Sequence, residues 1–439
     1  MRGVIGFGFG IAALAAPAFA QTAPKPPAPA SLKRMLDRAP DAESALAKRY
    51  VAEGKVPGIV ILVGRDEPGG GSTVSIVTEG RVADEPAAHK ADIDSLWRVY
   101  SMTKPITGIA AMILVEEGKL KLDQPISDFI PAFKDMKVLV DPSKDLTTRP
   151  AKNPITVRNL LTHTAGLGYN IITKGPLLDE YNKLGINPAQ VNTQMEVQMA
   201  QLRPDSLEEF ANRTASLPLI AEPGTKWSYS IGLDILGRVI EVASGMPFDQ
   251  FVNTRIFKPL KMEQSYWTVP ADKVANFASN YVFMGATRVV ADPAASSIYL
   301  KKPEFPYGGA GLVMSARDYD RFLHMLLNGG TLDGARILKP ATVAVAMSNL
   351  LPAGADTSIL NETAKDTGAQ MGFGAGGSVY LSDVAGGPGK GTFGWGGAAG
   401  TIAWADPVHK LRAVGMINLF GDTPLKREVS KAIYADIAK

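Results

Sequence analysis

The chain has 439 residues, 46% of them hydrophobic and 20% charged, with a net charge of +3. This length predicts roughly two to three domains with enough apolar residues for a large core, and so small a charge excludes an electrostatic case for nucleic acid or an anionic membrane surface as partner. The absence of cysteine excludes disulfides, a thiolate nucleophile and a cysteine-borne lipid anchor.

In chain order, the first twenty residues, MRGVIGFGFGIAALAAPAFA, join one positive charge, an apolar run and a small-x-small site at Ala18-Phe19-Ala20. That is the pattern of a cleaved export signal, and the run is too short and glycine-rich to span a bilayer well. The expectation is an exported protein, periplasmic or secreted after cleavage near Ala20, with no stable membrane anchor. Residues 21–34 read as a Pro/Ala-rich tether. From Ser31 to about Glu53 the pattern is helical, broken at Pro40. GIVILVGRD (58–66) and STVSIVTEG (72–80) flank a Gly-rich turn and predict a hairpin.

From Leu96 to about Gly245 the signals are mostly helical. SLEEFANRTASLPL opens on Ser206 and Glu209, a capping-box pattern. SARDYDRFLHMLLNGG predicts a helix starting at Ser315 and Asp318 and stopping at Gly329 and Gly330. Strand patterns then return in GSVYLSD, GTFGWGG, AGTIAWADP and LRAVGMINLF, and LKREVSKAIYADIAK closes the chain as a helix. Strands at both ends with helices between them predict an α+β fold. An antiparallel sheet is built from the N- and C-terminal segments and flanked by helices, with a mostly helical domain inserted. The expected boundaries are 35–95 and 290–439 for the discontinuous α/β domain and 96–289 for the helical one.

Several familiar signatures are missing or misleading. There is no G-x-S-x-G elbow and no HExxH, and His89, His163, His324 and His409 are scattered, so no metal site is expected. GFGAGG (372–377) matches G-x-G-x-x-G, but strand-like SVYLSD follows it where a dinucleotide site needs a helix. GKGT (389–392) lacks the Ser/Thr that a phosphate loop places directly after its lysine. No cofactor is expected.

The stretch LWRVYSMTKPITGIAAMILVEEGKL (96–120) places Ser101 three residues before Lys104. Ile106, Ile109, Ala110, Ile113 and Leu114 recur at helical spacing after it. Pro105 is tolerable only in a first turn, so the helix starts close to Ser101. Residues i and i+3 share a helix face, and the helix N-terminus offers N–H groups suited to a developing oxyanion. A serine attacks well only when a base takes its proton, and a lysine serves as that base when burial or a nearby cation lowers its pKa. Taken alone, the stretch is a weak signal and fits a helix-capping serine with a surface lysine better. Tyr229, in EPGTKWSYSIGLDILGRVIEVASG (222–245), sits just before a helix and is either a proton relay or a half-buried core tyrosine. In GTFGWGGAAGTIAW (391–404), glycines around Trp395 mark a close approach to the strand, by substrate or by packing.

Five blocks in order, S-M-T-K (101–104), ITVRNLLTHTAGL (155–167), PGTKWSYS (223–230), GGAGLVMSARDYDRFLHMLLNGG (308–330) and FGWGGAAGT (393–401), resemble the serine β-lactamase-related superfamily over about residues 35–436. The resemblance is strongest to the class C-like branch called family VIII carboxylesterases. It implies Ser101 as the acylated nucleophile, Lys104 as its base and Tyr229 as a partner in proton transfer to the leaving group. It also implies an oxyanion hole from the backbone N–H groups of Ser101 and Ala398, since Ala398 follows the W-G-G that replaces K-T-G. Where class C enzymes carry Y-x-N, the third residue here is Ile231, and Trp395 replaces the lysine of K-T-G. Both changes remove polar anchors, so the resemblance implies a pocket of Trp395, Gly396, Gly397 and Ile231 that takes a neutral, small-molecule ester of short or medium acyl chain in preference to a β-lactam. His163 is expected to brace a loop. The rivals are a D-amino-acid peptidase or aminohexanoate-oligomer type amide hydrolase, a weak β-lactamase, and a non-catalytic wall-binding module.

Overall fold

A computed structural model describes residues 41–67, 71–365, 368–421 and 424–437. The expected export signal, the tether and the helical pattern before Asp41 lie outside the described residues. The described residues open on helix α1 (Asp41–Ala52). Strands β1 (Gly58–Asp66) and β2 (Ser72–Gly80) follow and pair antiparallel along their whole length, as the hairpin pattern predicts. The helical part comprises chiefly α2 (Thr103–Glu116), α3 (Val157–Leu161), α4 (Leu207–Ala215) and α5 (Gly232–Ser244). Ser206 caps α4 by accepting the Glu209 N–H (3.1 Å). The Glu209 carboxylate reaches back to the N–H of Asp205, one residue short of a reciprocal box.

Strands β3 (Asn280–Met284) and β4 (Thr287–Asp292) then form a second hairpin. The expected division between residues 289 and 290 falls inside β4. That position lies within one antiparallel hydrogen-bonded hairpin. Helix α6 (Ala316–Leu327) starts at the predicted cap, with Ser315 Oγ accepting the Asp318 N–H (3.1 Å). After α7 (Pro340–Ala346) come β5 (Met371–Phe373), β6 (Ser378–Tyr380), β7 (Phe393–Gly396), β8 (Ile402–Asp406), β9 (Leu411–Met416) and α8 (Leu425–Ile437).

These strands make a seven-stranded sheet in the order β5-β6-β7-β8-β9-β1-β2, antiparallel throughout. It joins the two ends of the chain, as the α+β expectation requires. The unbroken apolar run of β1 follows from helices on both faces. Val60 and Leu62 belong to the core shared with α6, while Ile59, Ile61 and Val63 pack with Leu46, Tyr50, Val429 and Ile433 of α1 and α8. Helix α2 is buried at every position from Thr103 to Leu114, which is the burial expected of a helix apolar on all sides.

The GFGAGG stretch is tightly packed: a Cβ on Gly374 would lie 2.5 Å from the carbonyl oxygen of Ala346, and the stretch also meets α2. A Cβ on Gly108 of α2 would lie 2.0 Å from the carbonyl oxygen of Ala375, and one on Gly376 would lie 2.3 Å from that of Lys104. The glycines let the loop after β5 cross α2 in backbone contact. This sets the sign of a test. In a free helix Gly→Ala stabilises by about 1 kcal/mol, but here the added methyl has no room. Gly108→Ala is expected to destabilise the protein by about 2 kcal/mol, read as a lower urea midpoint at unchanged slope. Among the described residues no cluster of His, Asp or Glu could hold a metal ion, and no helix is long and apolar enough to cross a membrane.

Candidate active site

Ser101 lies in a single 3-10 turn, Tyr100–Met102, that runs directly into α2. Pro105 falls in the first turn of that helix, where proline costs no hydrogen bond. The residue before Ser101 is strained: Tyr100 has φ +40°, a region that a bulky side chain rarely enters. Its ring is buried and held against Tyr299 and Phe420. The turn is further anchored by Val99 N–H to Leu312 C=O (3.1 Å) and Tyr319 Oη to Met102 C=O (2.9 Å). Strain that surrounding contacts over-determine is a recurrent mark of functional sites.

The i, i+3 spacing does what the sequence suggests. Lys104 Nζ lies 3.2 Å from Ser101 Oγ and donates to Gly309 C=O at 2.7 Å. Lys104 is fully buried, with its amine 4.7 Å from the ring centre of Tyr229 and 5.6 Å from that of Tyr169. The surface-lysine reading is thereby excluded. Tyr229 Oη comes within 2.7 Å of Ser101 Oγ from the loop preceding α5, so the tyrosine is not a mere core filler. Trp395 donates its indole N–H to Tyr229 Oη (3.4 Å), and its ring packs on Tyr229 and Phe373.

His163 is not a base for Ser101. The Ser230 N–H donates to its Nδ1 (3.1 Å), which leaves the proton of the neutral ring on Nε2. Nε2 is buried and has no hydrogen-bond partner among the described residues. Burial, and then the charge of Lys104, hold its pKa well below the usual value. The imidazole packs 4.7 Å from the Tyr229 ring and its carbonyl accepts the Ser228 N–H, so it braces the tyrosine loop as expected.

Gly397 closes against the serine turn: a Cβ there would sit 2.3 Å from Val99 C=O. This brings the end of β7 alongside Ser101. The N–H of Ala398 has no protein partner among the described residues, and the residue is exposed. The expected pocket is corrected in two places. Ile231 is 0% exposed and belongs to the main core, because the turn into α5 points its side chain inward. Gly397 is likewise buried by its contact with Val99. Trp395 and Gly396 line a cavity of about 600 Å³, together with Met371, Tyr380, Trp404 and Lys431, whose lining includes none of Ser101, Lys104 and Tyr229. Two participants were missed from sequence: Tyr169, whose ring lies 5.3 Å from that of Tyr229, and Gly309. Neither sits in a stretch whose residue types announce chemistry, although Gly309 does lie in the GGAG run of a quoted block.

The chain is similar to several known proteins. The family model described as Beta-lactamase matches residues 44–435. Esterase EstB of Burkholderia gladioli is 31% identical over 379 residues, covering 81% of this chain and 86% of its own. Lovastatin esterase of Penicillium rubens is 31% identical over 343 residues, covering 74% and 80%. Among solved structures, EstCE1, described as a hydrolase with promiscuous acyltransferase activity, superposes with a TM-score of 0.71 at 26% identity, covering 90% of this chain and 98% of that one. With a family match across nearly all the described residues, the chain belongs to the Beta-lactamase family and is a serine hydrolase.

Proposed function

We propose that this hydrolase cleaves neutral carboxylic esters of short or medium acyl chain through an acyl-enzyme on Ser101. The observation that carries the reading is the convergence of Tyr229 Oη (2.7 Å) and Lys104 Nζ (3.2 Å) on Ser101 Oγ. Lys104 takes the hydroxyl proton as Oγ bonds to the ester carbonyl carbon. The N–H groups of Ser101 and Ala398 receive the developing oxyanion, a term worth several kcal/mol in preorganised sites (about 3 per donor). The ester C–O bond then breaks, and the leaving alkoxide takes the proton back through Lys104 and Tyr229 and departs as alcohol. Water attacks the acyl-enzyme, its proton passing to the same pair, and the carboxylic acid is released. Relatives named esterase support the ester bond. So does the indole at position 395, an apolar surface where β-lactam enzymes carry a cation.

The test is a panel of p-nitrophenyl acetate, butyrate and octanoate, a p-nitroanilide and nitrocefin, run beside fluorophosphonate labelling. The expected result is a label on the Ser101 peptide and a kcat/KM for butyrate at least about a hundredfold above nitrocefin. Equal values for the two substrates would overturn the ester assignment, and preferred anilide cleavage would move it to amides. No labelling at all would return the wall-binding reading.

A second expectation concerns Trp395. Trp395→Ala should raise KM for butyrate and octanoate about tenfold, roughly the loss of one apolar contact face, with less change for acetate. If Trp395 served only packing with Phe373 and Tyr229, the melting temperature would fall while KM of the folded fraction held constant. Measuring both on one preparation separates the outcomes.

A further inference from the structure

The carboxylate of Asp234 is used by nothing in the mechanism above. It stands in the first turn of α5 and is 0% exposed. Oδ1 accepts the N–H of Gly309 at 2.8 Å, while Oδ2 has no hydrogen-bond partner among the described residues. Gly309 in turn offers its C=O to Lys104 Nζ at 2.7 Å. The next glycine back, Gly308, accepts from Thr107 Oγ1 of α2 (2.6 Å). The segment is therefore clamped between α2 and α5, with Gly309 facing a carboxylate on one side and the amine on the other. A side chain at 309 is forbidden by that carboxylate: a Cβ would lie 2.6 Å from Oδ2, and the three nearest atoms to it all belong to Asp234.

We infer that Asp234 is a positioning residue for Lys104, acting through Gly309 and supplying the buried negative charge that balances the ammonium formed when Ser101 gives up its proton. This rests on the reading of Lys104 as base. A neutral amine has two N–H donors and one lone pair. With one N–H fixed on Gly309 C=O, the lone pair can be directed at Ser101 Oγ, 3.2 Å away. Lys104 forms no direct ion pair among the described residues, so the counter-charge arrives across one glycine. An isolated buried carboxylate is costly, and burial pushes Asp234 up to about 7, with the Lys104 charge and the Gly309 N–H pulling it back. The other titratable groups electrostatically coupled to this pair are Tyr169, Tyr307 and His163, with Tyr229 beyond Tyr169 and Arg203 beyond Tyr307.

The experiment is the pH profile of kcat/KM for p-nitrophenyl butyrate in Asp234→Asn, with Lys104→Ala measured beside it. Removing a neighbouring negative charge disfavours a protonated amine. The acid limb set by the base is expected to move about one pH unit lower, and the plateau to fall about tenfold because a weaker base takes the proton less well. KM should change less than about twofold, since uniform binding is untouched. A packing role would lower stability without moving the limb. A folded Asp234→Asn with the wild-type plateau and limb overturns the inference while leaving the mechanism standing, provided Lys104→Ala is inactive. An active Lys104→Ala would overturn both. Should Asp234→Asn fail to fold, Gly309→Ala decides: it keeps the charge but forces the loop off it. A kcat loss of at least about tenfold at constant KM supports the assignment, and wild-type kcat overturns it.

Discussion

Ser101→Ala is expected to lower kcat/KM for p-nitrophenyl butyrate by about four orders of magnitude or more, and to abolish fluorophosphonate labelling. Each factor of ten is about 1.4 kcal/mol of transition-state stabilisation, so the lost nucleophile accounts for at least about 5 kcal/mol. The structure gives a reason for the fold to survive. Ser101 is half-buried, its Oγ hydrogen-bonds among the described residues to Tyr229 and Lys104 alone, and Lys104 keeps its bond to Gly309 C=O. The strained Tyr100 backbone is held by Val99, Met102 and the packed Tyr100 ring, none of which depends on the hydroxyl. Stability should change by less than about 1 kcal/mol. The measurement is a rate on protein whose melting temperature matches the parent, prepared in a host strain lacking background esterase. Turnover within tenfold of the parent by such a preparation would place the nucleophile elsewhere.

The serine–lysine pair was legible because helix geometry is local. Three residues of separation and a proline in the first turn fix the face of α2 from sequence alone, and the structure returns the contact at 3.2 Å. The hairpin of β1 and β2 was legible for the same reason, and the caps at Ser206 and Ser315 followed from short-range hydrogen bonding. What required coordinates was long-range. Asp234 and Gly309 are separated by 75 positions in the chain, and nothing about an aspartate in the first turn of an amphipathic helix distinguishes it from a solvated residue. Its burial follows from α5 packing against α2. Ile231, two residues after Tyr229 in sequence, is likewise buried in the main core, which only the packed structure shows. The hairpin of β3 and β4 escaped notice inside a segment read as helical, although NYVFMGATRVV carries a glycine turn between β-branched and aromatic residues.

Lys104→Arg is expected to fail almost as completely as Lys104→Ala, each losing about three orders of magnitude or more in kcat. Arginine preserves the positive charge, so a purely electrostatic role for position 104 would leave much of the rate. It cannot release a proton near neutral pH, since its pKa exceeds about 12. The amine of Lys104 is enclosed by the Tyr169 and Tyr229 rings and the Gly309 carbonyl. Lys104→Ala instead leaves a small buried void beside a serine and a tyrosine that are still in place. Added methylamine or ethylamine should recover part of the alanine variant's rate in proportion to the unprotonated amine concentration, and should recover none of the arginine variant's. Rate restored by the guanidinium side chain, or by ammonium salts independently of pH, would show that position 104 supplies charge alone and that the proton leaves Ser101 by another route.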